Sequence, residues 1–296
     1  MYSKRKLKNW LWGYFFIAPT IIGLLILNIW PIVQTGILSL SKSMGFNKYI
    51  FSGFTQYIKI LHDLDVWTGL KNTLVYSILA VPCGIFISLI LAWMICKINR
   101  AVSIYRTIFF TPMVAAPAAI TIVWAWIYNT EYGVLNYLLG FFGADPISWL
   151  NNPKYTMLSI VIIAIWGGIG QQLIIMMVAI QNVPKTYYEA SDIDGAGDFV
   201  KLFKITIPII SPSIFFLTVT GFIAALGQFD MVYMIFGNTS SEAVDSVKTI
   251  MYGYYKQAFV IQDKAYASAI AMVTLVIILF FTGIQFWVQK KAVYYE

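Results

Sequence analysis

The chain has 296 residues, of which 59% are hydrophobic and only 11% are charged. Soluble globular domains carry about 25% charged residues, so this composition excludes that class and indicates an integral membrane protein. The two cysteines and the single histidine, His62, form neither a metal site nor the catalytic cluster of a membrane-embedded enzyme. The sequence has no glycine-rich P-loop, so any ATP that drives this protein must be bound by another chain.

Apolar runs without charge recur along the chain, each about as long as the ~20 residues that cross a bilayer as a helix. The first run follows a basic start, is longer than the core of a signal peptide, and is flanked by aromatic residues, which predicts an uncleaved span. The sequence predicts an all-α integral membrane fold with six helices in a single transmembrane domain, residues 1–296. The predicted spans are approximately residues 11–33, 72–96, 107–128, 156–181, 208–234 and 266–289.

The distribution of lysine and arginine predicts that both termini lie in the cytoplasm, because cytoplasmic loops carry an excess of these residues. With the N-terminus inside, 12 of them fall inside and 8 outside. The inside set is Lys4, Arg5, Lys6, Lys8, Lys97, Arg100, Arg106, Lys185, Lys201, Lys204, Lys290 and Lys291. The outside set is Lys42, Lys48, Lys59, Lys71, Lys154, Lys248, Lys256 and Lys264.

Two of the predicted outer loops carry more than a turn. Residues 132–144 are apolar but too short to span, which predicts an interfacial or re-entrant helix. Residues 237–264 are polar at the start and aromatic later.

The polar segment between the fourth and fifth predicted spans carries its own helical signals. Thr186 and Glu189 have the spacing of a capping box, which predicts a helix beginning at Tyr187. Asp194-Gly195 is a turn dipeptide that ends this helix, and we expect Gly195 to adopt the left-handed conformation. Asp198 is in place to cap a second, amphipathic helix whose apolar residues are Phe199, Leu202 and Phe203. These features alone fit a docking element and a well-capped connector equally well.

The same segment resembles the EAA loop of ABC importer permeases. The residues that carry the resemblance are Glu189-Ala190-Ser191, Asp194-Gly195-Ala196, Phe203, Ile205, Ile207-Pro208 and Pro212. Ser191 and Ile207 depart from the usual alanine and leucine. The resemblance implies that residues 184–207 form a coupling helix that docks on a cytoplasmic ATPase. The expected coupling residues are Tyr188, Glu189, Ala190, Ser191, Asp194, Gly195, Ala196, Phe203 and Pro208.

Further segments resemble the carbohydrate-uptake, maltose-type permeases of this class. They are Ala18-Pro19, Pro31, residues 106–112, the stretch from Phe229 through Gly237 to Phe259, and residues 266–269. The resemblance implies a subunit of the bacterial cytoplasmic membrane that pairs with a second permease in the lipid bilayer. A cytoplasmic ATPase dimer would carry ATP and Mg²⁺, and this chain would bind no cofactor. An external binding protein would deliver the sugar, and no nucleic acid is involved.

Polar residues inside the spans mark a candidate substrate path, because such residues usually face a protein interior or water. They are Gly168, Gln171, Gln172, Gln228 and Asp230, on the two spans that flank the loop. The resemblance adds that maltose-type relatives bind sugar on these helices. The alternative is that the glutamines only form hydrogen bonds between helices and that the glycines are packing points.

These observations predict a non-catalytic permease subunit of an ATP-driven importer that works by alternating access. The resemblance implies that the substrate is a sugar, and an oligosaccharide is the first choice. Glycerol 3-phosphate or another polar solute is the alternative. An ion-coupled secondary transporter is disfavoured, because Asp230 is the single intramembrane acid and no inverted repeat is visible.

Overall fold

The computed structural model describes residues 2–45, 48–98 and 102–292. Arg100, counted above among the cytoplasmic residues, lies outside the described residues. The described chain is mostly helical and divides into two compact units. One unit comprises the residues up to Asp63 together with Tyr254–Val273, and the other comprises Leu64–Gly253 together with the residues from Thr274 onward.

The described chain contains many helices and two short strands, whose bounds follow in chain order. The first half contains α1 (Tyr2–Leu24), a π-helical turn (Leu25–Ile29), α2 (Trp30–Ser39), β1 (Ser41–Ser43), β2 (Tyr49–Phe51), α3 (Thr55–His62), α4 (Leu64–Lys97), α5 (Val102–Val114), α6 (Pro117–Ile127) and α7 (Val134–Gly140). The second half contains α8 (Pro153–Gln181), α9 (Lys185–Ile193), α10 (Asp198–Lys201), a π-helical turn (Leu202–Thr206), α11 (Ile207–Ile209), α12 (Ser211–Leu226), α13 (Asp230–Phe236), α14 (Glu242–Asp245), α15 (Ile250–Tyr255), a π-helical turn (Lys256–Val260) and α16 (Lys264–Ala292).

The first unit includes a small antiparallel ribbon, β1 paired with β2, which the all-α prediction did not include. The ribbon is short because only three residues of each strand pair, from Ser41 with Phe51 to Ser43 with Tyr49. The buried Gln56 of α3 donates a hydrogen bond from Nε2 to the Ser41 carbonyl at 3.0 Å. The ribbon and α3 therefore form one local structure.

Four described helices are long and apolar enough to cross a membrane: Lys8–Ser39, Leu64–Lys97, Pro153–Gln181 and Lys264–Lys290. They contain the predicted first, second, fourth and sixth spans. The second begins eight residues earlier than predicted, because the helix continues through Asp65 and Lys71 beyond the apolar run.

The third predicted span, residues 107–128, is not one continuous helix. It consists of α5 and α6, which meet at an angle of 101°. Proline lacks a backbone N–H and disfavours helical conformation in the residue before it. Ala116, which precedes Pro117, is extended with ψ at 137°, so α5 ends at Val114 and α6 begins at Pro117.

The fifth predicted span, residues 208–234, is also interrupted. The helical run Asp198–Ile209 meets α12 at an angle of 69°. A second break falls at Gly227–Phe229, between α12 and α13, so Asp230 begins a short helix instead of lying within a long one. Counting each bent pair as one span gives up to six candidate spans in the described chain.

The core of the second unit lies where α4, α8 and α12 pack together. Its buried residues include Leu89, Ala92, Leu173, Met176 and Leu217. Close approach of α5 requires Gly170, since a Cβ there would lie 2.6 Å from the Phe109 carbonyl oxygen. Gly170 is therefore a packing point that admits a neighbouring helix.

Candidate functional site: a central cavity and the loop between α8 and α12

A cavity of about 320 Å³ lies between α4, α8 and α12. Four of the five residues predicted for the substrate path line it, namely Gly168, Gln171, Gln172 and Gln228. The other polar groups in its wall are the hydroxyls of Tyr76 and Thr220. The structure therefore brings together four predicted residues that are up to 60 positions apart in the sequence, from Gly168 to Gln228.

Gln172 is held in place by α4. Its Oε1 accepts a hydrogen bond from the buried Ser88 hydroxyl at 3.1 Å. Gly84, one turn earlier on α4, leaves room for the amide, because a Cβ there would lie 3.2 Å from Gln172 Oε1. Gln172 thus has the helix-to-helix hydrogen bond that the packing alternative assigns to these glutamines.

The other two glutamines differ from Gln172. Within the described residues, the side-chain amides of Gln171 and Gln228 have no hydrogen-bond partner. Gln228 lies in the break between α12 and α13, where its backbone carbonyl, and not its side chain, accepts a hydrogen bond from Thr249 Oγ1 at 2.7 Å. Both amides are therefore free to bind a ligand in the cavity.

The part of the cavity wall that the described residues form is neutral. Among the described residues that line it, none is charged, and Asp230 is not one of them. Asp230 is exposed at the first position of α13. The part of the wall that this chain supplies consists of amides, hydroxyls and apolar groups, which suits a neutral polar solute.

The predicted coupling helix is α9, but it begins differently from the prediction. Pro184 is the N-cap, with ψ at 131°, and the helix begins at Lys185. Thr186 lies inside the first turn, and no side chain caps the helix, so the predicted capping box is absent. The extended Pro184 accepts a hydrogen bond at its carbonyl from the Tyr187 N–H at 3.2 Å, so the first helical residue is Lys185.

The end of α9 agrees with the prediction. Gly195 has φ at +71°, and its N–H donates to the Asp192 carbonyl at 3.1 Å. The N–H of Ala196 donates to the Ser191 carbonyl at 2.9 Å. These two bonds are those of the Schellman motif, which requires a left-handed residue at this position.

The second helix of the loop is shorter than predicted. α10 has four residues with Gly197 as its N-cap, so Asp198 does not cap it. Instead the Asp198 carboxylate pairs with Lys97 of α4 at 2.7 Å. The hydrogen bond from Lys97, its charge and that of Lys201 hold the pKa of Asp198 below its usual range. This ion pair attaches the loop to α4, a contact that the sequence did not predict.

The loop exposes apolar side chains to its surroundings. Glu189, Ala190 and Ile193 share one face of α9, and 88% of Ile193 is exposed. In the second half of the loop, 70% of Phe199 and 53% of Phe203 are exposed, whereas Leu202 is buried.

Ile193 was absent from the predicted coupling residues, although its spacing of three from Ala190 could have indicated it. Tyr188 is half-buried and Ser191 is buried, while Asp194 and Pro208 are exposed.

Comparison with known families identifies the class of protein. Residues 68–294 match the family described as binding-protein-dependent transport system inner membrane component. The chain belongs to this family. It is an ABC importer permease and a multi-pass membrane protein.

Two curated relatives are similar over almost their whole length. The sn-glycerol-3-phosphate transport system permease protein UgpA of Shigella flexneri is 30% identical, over 97% of this chain and 96% of the relative. The lactose transport system permease protein LacF of Rhizobium radiobacter is 29% identical, over 94% of each chain.

A solved structure shares the fold. The match is to a chain of a bacterial alginate ABC transporter, solved in complex with an alginate pentasaccharide-bound periplasmic protein. It has a TM-score of 0.85 at 23% identity and covers 97% of this chain and 96% of that chain.

Proposed function

We propose that this chain imports a neutral sugar, most simply an oligosaccharide, through the cavity between α4, α8 and α12. The observation that carries the proposal is the lining of that cavity by Gln171, Gln172 and Gln228 without a charged side chain among the described residues. Amide groups both donate and accept hydrogen bonds, as sugar hydroxyls do. A cavity of about 320 Å³ is of the size that holds a small ligand.

Glycerol 3-phosphate is the second candidate, because UgpA is 30% identical. A phosphate group taken out of water is usually paired with a cation, which compensates its negative charge. The wall that this chain supplies contains no lysine or arginine among the described residues. The chemistry of the cavity therefore favours the sugar.

The proposed partners follow from the loop and the family. A second, homologous permease would close the cavity, and an external binding protein would deliver the sugar. An ATPase dimer that holds ATP and Mg²⁺ would bind the exposed face of α9, which carries Glu189, Ala190 and Ile193. We assign no cofactor and no covalent chemistry to this chain.

The proposed orientation puts both termini and α9 in the cytoplasm, with six spans. Cysteine labelling tests it after Cys83 and Cys96 are replaced by alanine. Ser240→Cys, in the predicted outer loop, is expected to react with an impermeant thiol reagent on intact cells. Lys204→Cys is expected to react only after the cells are opened. Labelling with the opposite sidedness would reject both the orientation and the assignment of α9 to the ATPase.

Uptake assays test the substrate class. A strain lacking this chain should lose uptake of one neutral oligosaccharide in a labelled panel and regain it when the chain is restored. Uptake of glycerol 3-phosphate should be the same in both strains. Chain-dependent uptake of glycerol 3-phosphate, with no chain-dependent sugar, would replace the first candidate by the second.

A further inference from the structure

A second cavity, of about 420 Å³, lies on the side of the second unit where α4 and α8 both end. Its wall combines the last turns of these helices, through Trp93 and Gln181, with the coupling loop. None of its residues lines the central cavity. The family assignment and the proposed sugar path leave this second cavity without a role.

The depth of this cavity follows from the helices that form it. α4 ends at Lys97 and α8 ends at Gln181, and both helices are long and apolar enough to cross a membrane. The cavity therefore lies where these helices leave the hydrocarbon, at the level of the lipid headgroups. Trp93 is at the position where tryptophan is enriched in membrane proteins, the interface between apolar core and water.

The charge of the wall is positive. Three lysines face it, Lys97, Lys185 and Lys201, against the single carboxylate of Asp198. Lys201 also pairs with Asp192, which still leaves an excess of one positive charge. Lys185 has no ion-pair partner in the part of the chain that the structure describes.

The lysines are also positioned by their neighbours. The ammonium of Lys97 lies 3.8 Å from the centre of the Trp93 ring and 2.7 Å from the Asp198 carboxylate. The side chain of Lys201 is only 16% exposed. Basic pockets between transmembrane helices on the cytoplasmic side bind anionic lipid headgroups. Depth, charge and an ordered ammonium group thus indicate the same kind of ligand.

We propose that this cavity binds the phosphate group of an anionic membrane lipid. The bound headgroup bridges the end of α4 at Lys97 and the start of α9 at Lys185, and so fixes the coupling loop relative to the membrane. A soluble phosphate compound has the same chemistry, but the depth of the cavity favours the lipid. The effect on transport rests on the proposed function, whereas lipid binding itself does not.

Native mass spectrometry tests the proposal on the full chain, purified with the subunits that accompany it. The protein is released from nanodiscs of equal parts phosphatidylglycerol and phosphatidylcholine, and the ratio of the two retained lipids is measured. Removal of a lysine near an anionic surface costs about 1 kcal/mol, or about fivefold in binding. The Lys97→Gln/Lys185→Gln protein is therefore expected to lose most of the enrichment in phosphatidylglycerol.

Two further variants make the result specific. Lys8→Gln/Lys204→Gln removes two exposed lysines from the same predicted side but outside the cavity, and should retain the wild-type ratio. Lys97→Arg/Lys185→Arg keeps the charge and should also retain most of the enrichment. Equal lipid ratios in the Gln variants of both pairs would overturn the proposal, because they would show a diffuse attraction to the whole basic face.

A competition arm separates the two phosphate sources. Inorganic pyrophosphate at millimolar concentration should leave the retained lipid ratio unchanged if the site lies at headgroup depth. Displacement of phosphatidylglycerol by pyrophosphate would reassign the cavity to a soluble anion and reject the lipid. Because lipid retention is measured without transport, failure here leaves the sugar path untested and intact, and failure of sugar uptake leaves the lipid result standing.

Discussion

The hydroxyl oxygens of Tyr188 and Thr206 lie 2.9 Å apart and share a hydrogen bond. Tyr188 is in α9, and the fully buried Thr206 ends the π-helical turn that leads to α11 and α12. The Thr206 hydroxyl also bonds to the Lys201 carbonyl at 3.1 Å. The helix proposed to bind the ATPase is thus joined by a side-chain hydrogen bond to the chain that enters α12, which lines the central cavity.

Removal of this hydrogen bond should weaken coupling without loss of the protein. Tyr188→Phe removes one hydroxyl, a change of about 1 kcal/mol, which is small for a protein of this size. We expect ATP hydrolysis to respond less to a sugar-loaded binding protein, with the membrane level unchanged. The measurement is the ratio of stimulated to basal ATPase activity. Tyr132→Phe, in the predicted outer loop, is the control, and an unchanged ratio in Tyr188→Phe would show that the bond carries no signal.

The left-handed conformation of Gly195 should matter for docking. Gly195→Ala places a Cβ at a φ of +71°, which costs about 1 kcal/mol and distorts the end of α9. Gly197→Ala is the matched control, because Gly197 has a φ of −71° and a Cβ would meet nothing within 4 Å. We expect reduced co-purification of the ATPase with Gly195→Ala only. Equal recovery of the ATPase with both variants would reject a role for the turn.

The exposed face of α9 should bind the ATPase through Ala190 and Ile193. Ala190→Trp adds bulk where a close fit is expected, and Ile193→Asp puts a charge at a side chain that is 88% exposed. Neither site is buried in this chain, so both variants should insert normally. We expect both to lose the ATPase on purification, as measured against Lys204→Gln, at another exposed position of the loop. Retention of the ATPase by both would show that the loop is only a connector.

The helices and the turn at Gly195 were predictable from the sequence because they depend on local features. A long charge-free run predicts a span wherever it folds, and an Asp-Gly dipeptide after a helix predicts a left-handed residue. The bend before Pro117 was not predicted, because hydropathy is averaged over about 20 residues and does not depend on the backbone conformation of any one of them. The capping-box spacing of Thr186 and Glu189 predicts that α9 begins at Tyr187, whereas in the structure Pro184 is the N-cap and the helix begins at Lys185.

The site was predictable only in part, because its geometry depends on contacts between distant residues. Polarity identified Gln171, Gln172 and Gln228, but only the structure shows that Gln172 bonds to Ser88 and that the other two amides face the cavity without a partner among the described residues. The link from Asp198 to Lys97 joins positions 101 apart, and no local pattern indicates it.

This difference among the glutamines gives a prediction for transport. Gln171→Leu and Gln228→Leu should each reduce sugar uptake by about tenfold, as expected for loss of one to two hydrogen bonds to substrate, while the ATPase stays bound. Gln172→Leu leaves the Ser88 hydroxyl without this partner, so it should lower the level of folded protein as well. Gln34→Leu, on the exposed α2, is the control. Wild-type uptake in both Gln171→Leu and Gln228→Leu would make them packing residues.

The central claim is that this chain belongs to an ATP-driven importer, and the most direct test is to measure which energy source the uptake needs. Cells that produce this chain are given the chain-dependent neutral oligosaccharide, and initial uptake is measured after ATP depletion and, separately, after collapse of the proton gradient with ATP maintained. We predict that uptake stops in the first case and continues at nearly the original rate in the second. Uptake that survives ATP depletion but stops with the proton gradient would contradict an ATP-driven importer and identify an ion-coupled transporter.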